Sequence, residues 1–219
     1  MRFGKIDFDY AADLAGRDPA ADGPIYMVNF MKYKTVAEYR RGGDGAGEAI
    51  SGIEADDKYA PVDVLKKIGA HVAFHGKVVV QGAEGEWDRM GIVKYPTRRS
   101  FIEMQDRPDF KEKRVHKDAG MDYTVIVGAL PAAPHSTLAS GRYALFDLLA
   151  SSRDVSPSVS TASFVIEGTI IHDDRRWSSL TVSWHDEVPS VPALARGGDR
   201  MVVVAQAEID RWSDLLTSP

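Results

Sequence analysis

Two kinds of hydrophobic pattern alternate in residues 24–131 of the chain. Four segments are rich in alternating or β-branched apolar residues and predict strands, at 25–31, 72–80, 90–95 and 123–130. Two segments have apolar residues at helical spacing and predict helices, at 56–69 and at 97–116, the second with an interruption at Pro108. The resulting order βαββαβ is that of a ferredoxin-like α+β fold.

The first predicted strand carries a polar residue in an apolar setting. Alternation places Tyr26, Val28 and Phe30 on one face, and puts Asn29 on the other face between two methionines. Asparagine is disfavoured in the middle of a strand. Asn29 is therefore a candidate to hydrogen-bond either the carbonyl of a ligand or a buried backbone group.

Residues 142–219 repeat the strand pattern of the first half but not its helices. Strands are predicted at 143–149, 164–171, 177–184 and 201–207. Aligning Trp177 with Trp87 places 180, 182 and 184 in the same strand parity as 90, 92 and 94. The segments 151–161 and 191–196 are too short or unsuited in composition for full helices. The pattern favours a degenerate, helix-poor second repeat over an unrelated small β-subdomain.

The predicted organisation has four parts. They are an N-terminal segment (1–23), a ferredoxin-like domain (24–131), a Pro/Ala/Ser-rich linker (132–141) and a degenerate second half (142–219). We expect the second sheet to pack face to face on the first, so that one chain forms a barrel. An apolar outer face at 164–171 and 180–184 would then be covered either by residues 1–23 or by a second chain in a homodimer.

Composition excludes several classes of protein. The net charge is −5 and no basic stripe follows a predicted helix, which argues against a nucleic-acid partner. No apolar run approaches the roughly 20 residues that span a bilayer, so no membrane partner is expected. Without cysteine there is no disulfide framework and no thiolate chemistry. Acidic residues stand near the start, where a signal peptide needs an apolar core, which predicts a cytoplasmic protein.

Several short motifs occur together between residues 24 and 130. They are Asn29-Phe30, Tyr59-Ala60, Trp87-Asp88, Tyr95-Pro96, Phe101 with Met104, and the run from His116 through Lys117 and Asp118 to Ala119-Gly120. The set resembles the uncharacterised DUF1330 family of dimeric α+β barrel proteins, which implies a ferredoxin-like fold and a candidate pocket but no reaction. The family has arginine where this chain has Lys117, so a bidentate anion clamp is not implied.

Among the histidines, His116 is the strongest candidate for chemistry. It lies at the end of a predicted helix beside Arg114 and Lys117, and histidine can act as acid or base near neutral pH. The alternative is that His116 and Lys117 only complement the negative end of the helix dipole. His71 and His75 are four residues apart, which on a strand is roughly 13 Å, too far to share a metal ion. No metal site is expected.

The resemblance to dimeric α+β barrels implies a small apolar pocket between sheet and helices, and the leading hypothesis is a cofactor-independent enzyme with a small-molecule ligand. It would be an isomerase, cyclase, lyase or monooxygenase acting on a small apolar carbonyl or polyketide-like compound. The alternative is a non-catalytic ligand- or haem-binding protein. We expect three catalytic residues, with acid/base chemistry at His116 and ligand orientation by Asn29 and Tyr59. The expected substrate-binding residues are Met27, Met31, Phe74, His75, Trp87, Tyr95, Met104 and Arg114.

Overall fold

The structure is a computed structural model of the chain, which describes residues 4–41, 45, 47, 49–82, 86–132, 140–151, 161–191 and 199–217. The elements of the first part are β1 (Lys5–Ile6), α1 (Phe8–Gly16), β2 (Ile25–Tyr33), α2 (Gly52–Tyr59), α3 (Val62–Lys67), β3 (His71–Gln81), β4 (Arg89–Tyr95), α4 (Arg98–Met104), α5 (Pro108–Gly120) and β5 (Met121–Pro131). Those of the second part are β6 (Tyr143–Leu149), β7 (Thr161–His172), β8 (Ser179–His185), β9 (Arg200–Asp210) and α6 (Trp212–Thr217).

Eight antiparallel strands form a closed barrel. The strand order is β7-β5-β2-β4-β3-β9-β6-β8, and β8 pairs back onto β7 to close the ring. β1 pairs with the end of β7, at Lys5↔His172 and Ile6↔Ile171. The architecture is therefore a mixed α/β fold built on an eight-stranded antiparallel barrel with few helices.

The two halves of the chain have the same strand order. In the first half the order β5-β2-β4-β3 is fourth-first-third-second, and in the second half β9-β6-β8-β7 is again fourth-first-third-second. The second strand of each half pairs with the fourth strand of the other, at β3–β9 and at β7–β5. The expected single-chain barrel is therefore present, with the inner faces of both halves in one core, but the halves are also joined edge to edge by strand pairing, which was not expected.

The apolar face of the second half points into the barrel. Phe164, Leu180, Val182 and Trp184 are buried in the interior cluster together with Met90 of β4. The alternate residues of β8, which face outward, are Ser179, Thr181, Ser183 and His185. The expectation of an apolar outer face was therefore wrong for β8, where alternation places polar residues outward, whereas β7 carries the exposed Val165 on its outer side.

α6 packs against one part of the barrel interior through a buried tryptophan. Trp212 is fully buried, and its ring stacks on Tyr26 at 5.5 Å between centroids. The rings of Phe164 and Trp184 lie 5.2 and 6.2 Å away. The hydroxyl of Tyr26 donates to the carbonyl oxygen of Leu215 at 3.0 Å, which ties α6 to β2.

Two prolines set helix boundaries in the first half of the chain. The prediction of one helix over 56–69 was wrong, since α2 ends at Tyr59 and α3 begins at Val62. Pro61 explains the break, because it has no N–H to donate and disfavours helical backbone in the residue before it. The interruption predicted at Pro108 is confirmed, with this proline in the first turn of α5.

The N-terminal segment is anchored by Tyr10 of α1. Gly128 and Gly168 face each other across β5 and β7, and a Cβ atom on either would come within 2.6 Å of an atom of Tyr10. Their missing side chains therefore make the notch that holds the Tyr10 ring, whose hydroxyl donates to Glu167 at 3.1 Å. Residues of 1–23 thus do cover part of β7, one of the two outcomes expected.

Parts of two other expectations fall on residues outside those described. They are most of the linker (133–139) and the short helix-poor segments of the second half (152–160 and 192–198). Among the described residues, no helix is long and apolar enough to cross a membrane.

Candidate functional site

A cavity of about 1010 Å³ lies against the outer face of the four strands β2, β3, β4 and β5, under the helices of the first half. The sheet supplies outward-facing residues such as Asn29, Met31 and Gly91, and the helices supply Tyr59, Met104 and Lys117. Helices cover this side because a second apolar cluster joins the two layers, with members that include Met27 and Ile126 from the sheet and Leu65, Phe101 and Phe110 from the helices.

Most of the residues predicted for the site line this cavity. They are Asn29, Met31, Tyr59, Phe74, His75, Tyr95, Met104 and Arg114. Three predicted residues are not among its lining. Met27 is packed in the cluster between sheet and helices, and Trp87 lies in the barrel interior against Phe30 and Tyr123.

His116 is the third of these residues. Its Nδ1 lies 2.9 Å from the hydroxyl of Tyr39, and the two rings meet edge to face at 5.6 Å. Tyr39 lines the cavity, so His116 stands behind that side chain. His116 therefore contacts a ligand only indirectly, through Tyr39. The histidine that lines the cavity is His75.

The centre of the cavity floor is a row of three residues on three adjacent strands. Asn29 of β2 is opposite Gly91 of β4, and Gly91 is opposite His75 of β3. Neighbouring strands are about 4.8 Å apart, so the backbones of Asn29 and His75 are separated by about 10 Å. Gly91 has no side chain between the amide and the imidazole, and a Cβ there would lie 3.6 Å from both the His75 ring and the Met31 methyl group.

The polar groups at the two ends of this row are held in place. The side-chain amide of Asn29 donates to the carbonyl oxygen of Met27 at 3.0 Å, which leaves its own oxygen and a second N–H for a ligand. Nδ1 of His75 donates to the carboxylate of Glu208 at 2.9 Å. A carboxylate that receives Nδ1–H fixes the tautomer and leaves Nε2 as the acceptor.

One wall of the cavity is polar. The hydroxyl of Tyr33 donates to Asp56 at 2.6 Å, and Arg89 forms an ion pair with Asp57 at 2.6 Å and a longer one with Asp56 at 3.6 Å. Burial raises the pKa of Tyr33, and the charge of Asp56 raises it further. With Asp56 and Asp57 against Arg89, this wall is polar and carries one excess negative charge.

Another part of the lining is aromatic. Tyr59 packs edge to face on Phe110 at 6.0 Å, and Tyr95 packs on Phe101 at 5.2 Å. Burial raises the pKa of both Tyr59 and Tyr95, so their hydroxyls stay protonated at neutral pH. The Tyr95 hydroxyl points to the sulfur of Met104 at 3.7 Å. This wall suits an apolar ligand and offers hydroxyl donors to it.

Sequence reasoning missed Gly91, Glu208 and Lys117. A glycine among the apolar residues of a predicted strand is a known mark of close backbone approach, so Gly91 carried a signal that could have been used. Glu208 is the partner of a residue more than a hundred positions earlier, and no local pattern indicates that pairing. Among the described residues, no three His, Cys, Asp or Glu side chains form a group that could hold a metal ion.

The chain is similar to the RPA0582 protein of Rhodopseudomonas palustris, a protein of unknown function. The methylated form of that protein is 26% identical, with a TM-score of 0.50, and the match covers 61% of this chain and 98% of that one. A second structure of it is 23% identical, with the same TM-score and with 61% and 100% of the two chains covered.

More distant comparisons add little. A protein of Lactobacillus acidophilus NCFM inferred to be a monooxygenase is 11% identical, with a TM-score of 0.46 over 85% of this chain and 95% of that one, values too low to carry an argument. No protein-family model matches the chain, so the resemblance to DUF1330 stays a prediction. No curated protein matches it either.

Proposed function

We propose that the chain is a single-chain form of the ferredoxin-like dimeric α+β barrel, related to the DUF1330 proteins, and a cofactor-independent enzyme that acts on a small apolar carbonyl compound. The shared strand order of the two halves and their edge-to-edge pairing support the single-chain barrel. The helix-covered cavity of the first half supports the binding of a small molecule.

The row of Asn29, Gly91 and His75 carries the proposed reaction. A ligand seated over Gly91 would have its carbonyl oxygen at the amide of Asn29, and a neighbouring C–H group at Nε2 of His75. Nε2 takes the proton, the C–H electron pair forms the C=C bond of the enolate, and the C=O π pair moves to oxygen. Asn29 stabilises this enolate oxygen by hydrogen bonding. Glu208 holds the imidazole through its contact with Nδ1.

This assignment moves the acid/base role from His116 to His75. His75 lines the cavity and is backed by a carboxylate, whereas His116 contacts the cavity only through Tyr39. Tyr59 keeps the orienting role expected of it, since its hydroxyl stays protonated beside an apolar wall. The ligand class follows from the site as a whole, which has an aromatic wall, one amide and one histidine.

Replacing His75 by glutamine is expected to slow proton transfer by about 10²- to 10⁴-fold, the usual contribution of a general base. Proton NMR in D₂O measures the exchange of the protons next to the carbonyl in acetophenone and 2-tetralone, with and without protein. The matched control is His71→Gln, because His71 is an exposed histidine on the same strand and does not line the cavity. Equal rates in wild type and His75→Gln would contradict the assignment.

A side chain at residue 91 is expected to exclude the ligand. The Cβ of a residue at this position would be 3.6 Å from His75 and Met31, so valine fits the strand, but its methyl groups would occupy the space over the floor. We expect Gly91→Val to raise the half-saturating ketone concentration at least about tenfold, or about 1.4 kcal/mol. Thr181→Val is the matched control, since Thr181 has the same place relative to Trp177 as Gly91 has to Trp87. An unchanged half-saturating ketone concentration in Gly91→Val would show that the ligand does not bind over this row.

A further inference from the structure

Lys117 is a partly buried lysine whose side chain lines the cavity. It lies on the last turn of α5, and its Nζ is 5.4 Å from the centre of the Tyr59 ring. The same side chain is part of the cavity lining. A ligand in the cavity can therefore reach both this amine and the polar row on the sheet.

Lys117 differs in its pairing from Arg89 and Arg114, two other cationic side chains of the cavity lining. Arg89 is paired with Asp57 at 2.6 Å, and Arg114 with Asp118 at 3.5 Å. Within the described parts of the chain, no carboxylate oxygen lies within ion-pair distance of Lys117 Nζ. An ion pair does not account for a lysine in this position.

The surroundings of Lys117 favour its neutral form. Burial lowers its pKa, and the positive charge of Arg114, one turn earlier in α5, lowers it as well. The negative charges of Asp56 and Asp118 act in the opposite direction, as does the C-terminal end of the helix. The net direction is downward, so more of this amine is unprotonated at neutral pH than is usual for lysine.

We propose that Lys117 is a nucleophile that forms an imine with the carbonyl group of a small apolar aldehyde or ketone bound in this cavity. A desolvated lysine with a cationic neighbour and a route to a carbonyl ligand is the arrangement that makes this chemistry possible. The inference rests on the proposed function for the class of ligand, but not for the identity of the base.

The reaction balances without any other reagent. The lone pair of Nζ adds to the carbonyl carbon, the C=O π pair moves to oxygen, and one N–H proton passes to that oxygen to give a carbinolamine. The nitrogen then forms the C=N bond as the C–O bond breaks, and the oxygen leaves as water with the second N–H proton. A protonated imine withdraws electrons more strongly than a ketone, so it would make the neighbouring C–H easier for His75 to deprotonate.

Reductive trapping tests the inference on the wild-type protein. The protein is incubated with benzaldehyde and sodium cyanoborohydride at pH 7, digested, and mapped by mass spectrometry for benzyl-modified lysines. We expect Lys117 to be modified at least about tenfold faster than Lys66, an exposed lysine of α3 that serves as control in the same digest. Modification of Lys117 no faster than that of Lys66 would overturn the proposal.

Two variants separate this inference from the proposed function. Lys117→Arg keeps the positive charge but cannot form an imine, so it is expected to lose the fast modification while retaining the wild-type circular dichroism spectrum. His75→Gln is expected to keep the fast modification of Lys117 and to lose proton exchange. Proton exchange without fast modification in wild type would refute the imine alone, and fast modification without proton exchange would refute the role of His75 alone.

Discussion

Replacing Trp212 by alanine is expected to lower the free energy of unfolding by about 3–5 kcal/mol, the usual loss for a large aromatic side chain removed from a core. Trp212 is fully buried between Tyr26, Phe164 and Trp184, and no neighbouring backbone can collapse easily into the space it fills. Urea denaturation followed by far-ultraviolet circular dichroism measures the change.

The neighbouring substitution Arg211→Ala is the matched control for this prediction. The side chain of Arg211 is exposed, while its backbone N–H donates to Ala73 and its backbone carbonyl oxygen accepts from Leu215. We expect a change within about 0.5 kcal/mol for this variant. A loss below about 1 kcal/mol in Trp212→Ala would mean that α6 contributes little to the stability of the barrel.

Removing the guanidinium of Arg98 is expected to lower the free energy of unfolding by about 3 kcal/mol, because the mostly buried carboxylate of Glu167 then keeps only two partners among the described residues. These are Arg17, at 3.6 Å, and the hydroxyl of Tyr10. The Arg98 and Glu167 side chains are 10% and 15% exposed, and Nε of Arg98 donates to both oxygens of Glu167 at 2.9 Å. Asp22, only 2% exposed, also accepts from the backbone N–H of Arg98. Thermal and urea unfolding of Arg98→Ala measure the loss.

A matched control is available in the exposed pair of Lys5 and Asp174, whose side chains are 68% and 76% exposed. We expect Lys5→Ala to change stability by about 0–1 kcal/mol. If Arg98→Ala and Lys5→Ala were equally mild, the Arg98–Glu167 pair would not be a buried contact in solution.

The same pair gives stability a dependence on pH with a definite sign. Burial alone would raise the pKa of Glu167, but the hydrogen bonds and the charge of Arg98 outweigh burial and hold it below the ordinary value. A carboxylate with a lowered pKa stabilises the fold above its unfolded pKa, and the contribution is lost as pH falls through the folded value. Arg98→Ala should therefore lose part of the acid sensitivity that wild type has below about pH 4.5.

Strand positions were predictable from sequence because alternation is a local property. The segments around Tyr26, Met90 and Leu180 each face the interior in the parity that their alternation predicted. The parity expected from aligning the tryptophans is present, since Met90 and Ile92 of β4 and Leu180 and Val182 of β8 all face the interior.

The joining of the halves was not predictable, because both a sandwich and a closed barrel bury the same alternating faces. What separates them is which strand edges pair, and that depends on contacts between β3 and β9 with no local pattern. The break at Pro61 was predictable, because proline interrupts the hydrogen bonds of a helix interior, and the prediction of one helix over 56–69 did not apply this rule.

The site was predicted in part for a similar reason. Asn29 was identified from its polar position in an apolar strand and Tyr59 from the resemblance to DUF1330, and both line the cavity. The preference for His116 over His75 came from the charges beside it in sequence. His75 gains its importance from Glu208 and Gly91, which only the strand register brings next to it.

The closed barrel joins strands that are far apart in sequence, so we expect its slowest folding step to require the last strand of the chain. β3 pairs residues 74–81 with residues 203–210 of β9, so this contact has a very high sequence separation. Chains with many such non-local contacts fold slowly, and an unpaired strand edge recruits other chains. During translation, β3 and β5 are complete while β7 and β9 are still unmade, so a half-sheet with two open edges is present. The risk of aggregation for this protein is therefore greatest on the ribosome and ends when β9 enters the sheet.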